Sequence, residues 1–216
     1  MDVVIAGAHG QVARLLTRRL VAAGDRVVGL IRNPSHADDV RADGGDPVVV
    51  DLEQAAAADV AAAIEGCDAV VFAAGAGPGS GARRKETVDY GAAVTLRDAA
   101  VEAGVPRYVM VSSMGTRNPP AGDDVFSVYL RAKARADEAL MASDLQWTIV
   151  RPGRLTDEPA TGLVSLAERV ERGDIPRDDV AAVLVQALHD DRSVGTVVEL
   201  VAGDTPVADA FAGLRR

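Results

Sequence analysis

Val3-Val4-Ile5-Ala6-Gly7-Ala8-His9-Gly10-Gln11-Val12-Ala13 runs from a short apolar strand through a glycine turn into a helical pattern carried on by Leu15, Leu16 and Leu20. Glycine at Gly7 and Gly10 lets the backbone turn sharply and come close to a bound group. The first N–H groups of the helix that follows have no partner within it and can hold an anion. Strand, glycine turn and helix in this order predict a pyrophosphate cradle, and with it a dinucleotide-binding domain. Ala13 falls where the third glycine of such a loop stands and is small enough for close packing of helix on strand. The plainer alternative is a turn that binds nothing, and the matching strand ends further along argue against it.

The chain has 216 residues, 48% of them hydrophobic, and a net charge of -9. That length supports one full hydrophobic core, so residues 1–216 are expected to form one domain. The acidic balance argues against nucleic acid or an anionic membrane as a partner. A single cysteine, Cys67, rules out an internal disulfide framework and fits a reducing compartment. No secretory leader pattern is evident, which points to the cytoplasm. No apolar run approaches the roughly 20 residues of a membrane span. His9, His36 and His189 are too scattered for a zinc site, so no metal is expected.

Apolar runs alternate with amphipathic segments. Strands are expected at Val3–Ala6, Arg26–Ile31, Pro47–Val50, Ala69–Ala73, Arg107–Val111, Trp147–Val150 and Thr196–Val201. Helices are expected at Gln11–Ala23, Ser35–Ala42, Glu53–Glu65, Glu86–Ala103, Ser127–Ala142 and Arg177–His189, with glycine at several of their ends. This order predicts an α/β, doubly wound parallel sheet of about seven strands with helices on both faces, a Rossmann fold. Gly75–Gly81, with four glycines and a proline, reads as a loop above the strand ends. Ligands of such sheets bind at the carboxyl ends of the strands, which gathers His9–Val12, Arg32-Asn33, Ala74-Gly75, Ser112-Ser113 and Arg151–Leu155 around one cleft.

Arg32 ends the second strand. An acidic residue there would bond ribose hydroxyls and repel a 2′-phosphate, whereas an arginine invites the phosphate through charge-assisted bonds. NADP(H) is therefore expected in preference to NAD(H). Asp51-Leu52 either holds an adenine edge or, through Asp51, caps the next helix.

Tyr129 and Lys133 stand one helical turn apart on one face. The chain holds 21 arginines and two lysines, so a lysine at this spacing is notable. The pair suits general acid–base catalysis, with Lys133 helping to bring the phenol toward neutral pH. Ser112-Ser113 follows a buried strand, and Ser113 is the better candidate to orient a carbonyl. Arg151-Pro152-Gly153-Arg154-Leu155 could shape a nicotinamide pocket, with Pro152 stiffening the turn. The basic stretch Arg83-Arg84-Lys85 reads first as a solvated turn before a helix.

Together these residues resemble the extended and atypical short-chain dehydrogenase/reductase superfamily, in particular small NAD(P)-binding epimerase/dehydratase-like (NmrA-like) proteins. The resemblance rests on Gly7–Ala13, Asp51-Leu52, Ala73-Ala74-Gly75, Thr87–Tyr90, Val111-Ser112-Ser113, Tyr129–Lys133, Val150–Gly153 and Ile175–Ala181. It implies cofactor contacts from Gly7, His9, Gly10, Gln11, Val12, Arg32, Asp51, Leu52, Ala73, Ala74, Gly75, Lys133, Pro152, Gly153 and Leu155. It carries Ser113, Tyr129 and Lys133 to catalytic roles and puts Asp89 where the superfamily's asparagine is expected. A carboxylate there could pair with Lys133 but cannot donate hydrogen bonds as an amide does.

Only Thr156–Gly173 separates the sixth strand from the next helix, so a small lid of about residues 154–175 and a small carbonyl or ring substrate are implied. The expected function is an NADP-dependent oxidoreductase acting through Ser, Tyr and Lys. The alternatives are a non-catalytic NADP(H) sensor, or a small-substrate epimerase or dehydratase. A homodimer would pair Glu86–Ala103 with Ser127–Ala142.

Overall fold

The seven apolar runs become seven parallel strands of one sheet, in a computed structural model that describes residues 1–77 and 79–214. They are β1 (Asp2–Ala6), β2 (Arg26–Ile31), β3 (Asp46–Val49), β4 (Ala69–Phe72), β5 (Arg107–Val111), β6 (Gln146–Pro152) and, late in the chain, β10 (Thr196–Ala202). Four further short strands, β7 (Arg154–Thr156), β8 (Leu163–Ala167), β9 (Asp174–Pro176) and β11 (Thr205–Pro206), complete the set. The main sheet has the order β11-β8-β10-β6-β5-β4-β1-β2-β3, with β8 antiparallel to β10 and β11 antiparallel to β8. The others pair in a separate two-stranded sheet, β7 with β9. The chain leaves β1 for β2 and β3 on one side, then resumes with β4 on the other, so the strand order reverses at β1 and β4.

Two faces of the sheet are buried, and successive residues of each strand serve opposite layers. Val3, Ile5 and Val71 pack with Leu16 and Leu20 of α1 (Gln11–Ala22) and with Val180 and Leu184 of α7 (Arg177–His189). Val4, Val70, Phe72 and Tyr108 pack with α3 (Ala57–Ile64), α5 (Ala93–Glu102) and α6 (Val125–Met141).

Local chemistry explains where the element boundaries differ from expectation. Asp124 accepts hydrogen bonds from the Phe126 and Ser127 N–H groups at 3.1 and 3.0 Å, so α6 begins two residues early. Asp51 accepts from the Glu53 N–H at 3.0 Å, and its carbonyl from the Gln54 and Ala55 N–H groups. These bonds close a turn ahead of α3, which starts only at Ala57; the Asp51 cap belongs to that turn and not to a helix beginning at Glu53. Asn33 similarly caps a 3₁₀ turn, Pro34–His36, ahead of α2 (Ala37–Ala42). The segment expected to be a lid contributes β8 to the sheet edge. Before α5 the chain winds through α4 (Ala82–Arg84) and a π-helical stretch, Lys85–Ala92. Of the expected loop Gly75–Gly81, Pro78 lies outside the described residues.

A buried polar knot ties α6 to the ends of β5 and β6. Asp137 is fully buried, and its Oδ2 accepts from the Ser112 hydroxyl at 2.9 Å, from Thr116 Oγ1 at 3.2 Å and from Arg151 Nε at 3.0 Å. Replacing Asp137 with Asn leaves the Arg151 guanidinium buried without a counter-charge. The expected cost is about 3–5 kcal/mol, read from urea unfolding curves. A loss below about 1 kcal/mol, the range of exposed pairs, would show that the knot does not hold these strand ends.

Candidate active site

The glycine loop turns where β1 ends. The Gly7 and Ala8 N–H groups both donate to Leu30 O at 3.2 Å, and the Gly10 N–H donates to Gly7 O at 2.8 Å. Gly7 has φ +79°, and a Cβ there would lie 2.6 Å from Ala74 Cα at the end of β4. Any side chain would therefore be both strained and blocked. α1 opens at Gly10 with no side-chain cap and no acidic residue in its first turn. Its first internal bond runs from the Arg14 N–H to Gly10 O at 2.9 Å, so the preceding N–H groups have no partner within the helix. Ala13 is fully buried against the sheet. This cradle fits a diphosphate: bare backbone, unspent donors and a helix N-terminus.

Two cavities meet over it. The first, of about 270 Å³, is lined by Gly7, His9, Gly10, Arg32, Asp51, Leu52, Ala73, Ala74 and Gly75 among others, and would hold the adenosine half of a dinucleotide. The second, of about 660 Å³, shares Gly10 and Ala73–Gly75 with the first. It adds Gln11, Val12, Asp89, Ser113, Tyr129, Lys133, Pro152, Gly153 and Leu155. Every residue to which the resemblance gives a catalytic or cofactor role lines one cavity or the other.

In the first cavity the His9 and His36 rings stack with centroids 3.6 Å apart, and His9 Nε2 lies 3.0 Å from Asp39 Oδ2. Arg32 and Arg84 both donate to Glu53 Oε2, at 2.9 and 2.8 Å, and the Thr87 hydroxyl donates to its Oε1 at 2.7 Å. Burial pulls the Glu53 pKa up, but the Thr87 hydroxyl and the two guanidiniums hold it below the ordinary carboxylate value.

In the second cavity α6 carries Tyr129 and Lys133 on one face. Lys133 Nζ donates to Val111 O at 2.9 Å and lies 3.8 Å from Asp89 Oδ1. Asp89, on the π-helical stretch, is fully buried, and its Oδ2 accepts from the Ala76 N–H at 3.3 Å. Burial pushes the Asp89 carboxyl up and the Lys133 ammonium down, and each opposes the other's shift. The Ser112 hydroxyl is committed to Asp137; the Ser113 hydroxyl donates to Met114 O at 3.2 Å and is near enough to the Tyr129 phenol to draw its pKa down.

Three expectations need revision. Tyr129 is not brought toward neutral pH. Burial pushes it up to about 12; Ser113 draws it down, while the Asp89 charge adds to the rise. Lys133 spends its charge on Asp89 and Val111 O. Arg151 and Arg154 do not shape the second cavity: Arg151 turns to Asp137 on α6, and Arg154 bonds Asp174 outside. Arg83-Arg84-Lys85 is no solvated turn, because Lys85 is buried against the second cavity and Arg84 reaches into the first. Glu53 and Phe126 also line these cavities and went unnoticed. For Lys85 the signal was available, since it is one of only two lysines in the chain.

Comparison with known proteins agrees with this geometry. Residues 7–191 match the model of an NAD(P)H-binding family. The uncharacterised sugar epimerase YhfK of Bacillus subtilis is 36% identical over 98% of this chain and 99% of its own. A Bacillus halodurans structure, provisionally named an NAD-dependent epimerase/dehydratase, superposes with a TM-score of 0.93 at 37% identity, over 99% of this chain and 100% of that one. The oxidoreductase ylbE of Lactococcus lactis gives a TM-score of 0.88 at 29% identity, over 99% and 96%. Among the described residues no helix is long and apolar enough to cross a membrane. A bare glycine cradle between two joined cavities and a match spanning most of the chain lead to one conclusion: the chain belongs to the NAD(P)H-binding family of epimerase/dehydratase-like, oxidoreductase-related proteins.

Proposed function

We propose that this protein is an NADP-dependent oxidoreductase that interconverts a small carbonyl compound and its alcohol. The observation that carries the reading is the convergence of Ser113, Tyr129 and Lys133 on one cavity that adjoins the glycine cradle. A nicotinamide cofactor held by the glycine cradle and by Pro152, Gly153 and Leu155 would supply the hydride. Ser113 donates a hydrogen bond to the carbonyl oxygen and orients it. Tyr129 donates its phenolic proton to that oxygen as the carbonyl becomes an alcohol, and regains a proton from solvent. Lys133, braced by Val111 O and Asp89, keeps a positive charge close to the proton donor.

The preference for NADP is supported by Arg32 and Arg84, whose guanidiniums converge on one anion in the adenosine cavity. A 2′-phosphate offers them more charge and more acceptor oxygens than a carboxylate does. Epimerase or dehydratase chemistry is the second reading, favoured by the names of relatives at 36% and 37% identity. It would use the same tyrosine but return the hydride, with no net consumption of NADPH.

In calorimetric titrations, Arg32→Glu is expected to weaken NADPH binding by about tenfold or more while leaving NADH binding unchanged or tighter, since each lost charge-assisted bond is worth about 1.5–3 kcal/mol. Equal effects on both cofactors would remove the basis for the NADP preference. Tyr129→Phe is expected to lower turnover by at least about a hundredfold, the lower end for a general acid, with NADPH affinity kept within a few-fold. Wild-type turnover in that variant would refute the acid–base role.

The pH dependence follows from the raised phenol. With its pKa at about 12, Tyr129 stays protonated through neutral pH and remains a proton donor. Carbonyl reduction should therefore be flat in its Tyr129-dependent step. Alcohol oxidation, which needs the phenolate, should climb about tenfold per pH unit. A reduction rate that falls off near neutrality and rises again in acid would contradict the assignment.

A further inference from the structure

We propose that Lys85 is the substrate-reading cation of this cavity, and that the substrate carries an anionic group, a carboxylate, a few bonds from its reacting carbonyl. The inference rests on the reading above and names the class of substrate that the same site takes.

The chain uses arginine for nearly all of its positive charge, yet both of its lysines line the same cavity. Lys133 has an assigned partner in Asp89. Lys85 is buried as well, but among the described residues no carboxylate lies within ion-pair distance of it. Its ammonium donates to Gly77 O at 2.9 Å and sits 5.4 Å from the centre of the Tyr129 ring. One backbone carbonyl does not compensate a buried ammonium. Among the described residues Asp89 is the only carboxylate lining the cavity and it faces two ammonium groups, so one positive charge is left over. The remaining cation there, Arg177, already pairs with Asp157 at 2.8 Å.

A largely buried positive charge with no carboxylate of its own within ion-pair distance, beside a candidate proton donor, is the arrangement expected when the ligand brings the missing anion. An arginine at this position would present a planar fork. Lysine presents a compact charge that can turn toward a carboxylate without covering the phenol. The π-helical winding that begins at Lys85 aims that residue and Asp89 into the one cavity. Exposed Phe126, which stacks near Tyr129 with centroids 6.0 Å apart, gives the mouth an apolar wall. The best fit is an oxo acid with an apolar or aromatic end.

The same cation could instead serve a phosphate of the cofactor, and the test separates the two sources. Wild type, Lys85→Met and Lys85→Arg are titrated with NADPH. Each NADP⁺ complex is then titrated with benzoylformate and with its neutral methyl ester. In wild type the acid is expected to bind about tenfold tighter than the ester, as one charge-assisted bond implies. Lys85→Met should erase that difference, Lys85→Arg should keep most of it, and NADPH affinity should stay within about threefold in all three. Acid and ester binding alike in wild type, neither binding, or a preference that survives in Lys85→Met would overturn the proposal. Loss of NADPH binding in Lys85→Met alone, with its fold intact by circular dichroism, would assign the cation to the cofactor and overturn it too. A wild-type protein that binds no NADPH would defeat the cofactor reading itself.

Discussion

At the ends of β1 and β4 two backbones meet with no room for a side chain between them. A Cβ on Gly7 would lie 2.6 Å from Ala74 Cα, and the chain there runs at φ +79°. This close approach is possible because β1 and β4 are neighbours although the chain visits β2 and β3 between them. The same turn lays α1 back against the sheet with the first N–H groups of the helix unpaired within it. Gly10 and Ala73–Gly75 then become the shared floor of two cavities. A ligand long enough to reach both must cross the cradle with its middle over the helix N-terminus, where an anion is best held.

Buried charge divides the molecule into a part that holds shape and a part that faces ligand. Asp137 is matched to Arg151 and two hydroxyls, and that knot fixes the loop after β5 and the end of β6. Fixing Ser112 in this way leaves the next residue, Ser113, beside Tyr129. Around Tyr129 the matching is incomplete: two ammonium groups share one carboxylate, and Asp89 Oδ1 has no hydrogen-bond partner. Asp137 Oδ1 in the knot also lacks a hydrogen-bond partner, so what sets this cavity apart is its surplus ammonium, which a ligand can complete.

The first cavity follows the same logic. There Glu53 gathers Arg32, Arg84 and Thr87, so two guanidiniums share one carboxylate. Arg32 comes from the end of β2 and Arg84 from α4, on segments far apart in sequence. Their meeting on one carboxylate defines the rim of the cavity.

Much of this was legible in one dimension. The alternation of valine-rich runs with amphipathic segments determined seven parallel strands and helices on both faces, because strands buried on both faces must be apolar throughout. The glycine loop determined the cradle, since only glycine permits that turn and that approach. The Tyr129–Lys133 spacing determined that the two side chains share a face. Tertiary structure decided the rest. The turn made by Asp51 moved the start of α3, and the pairing of β8 with β10 put part of the expected lid into the sheet. Burial raised the Tyr129 phenol where a neighbouring ammonium alone would have lowered it. Glu53, Arg84 and Lys85 carry no motif, and their roles arise from what faces them across the cavities. Local pattern reports which residues share an element, whereas desolvation and charge pairing depend on which elements the fold brings together.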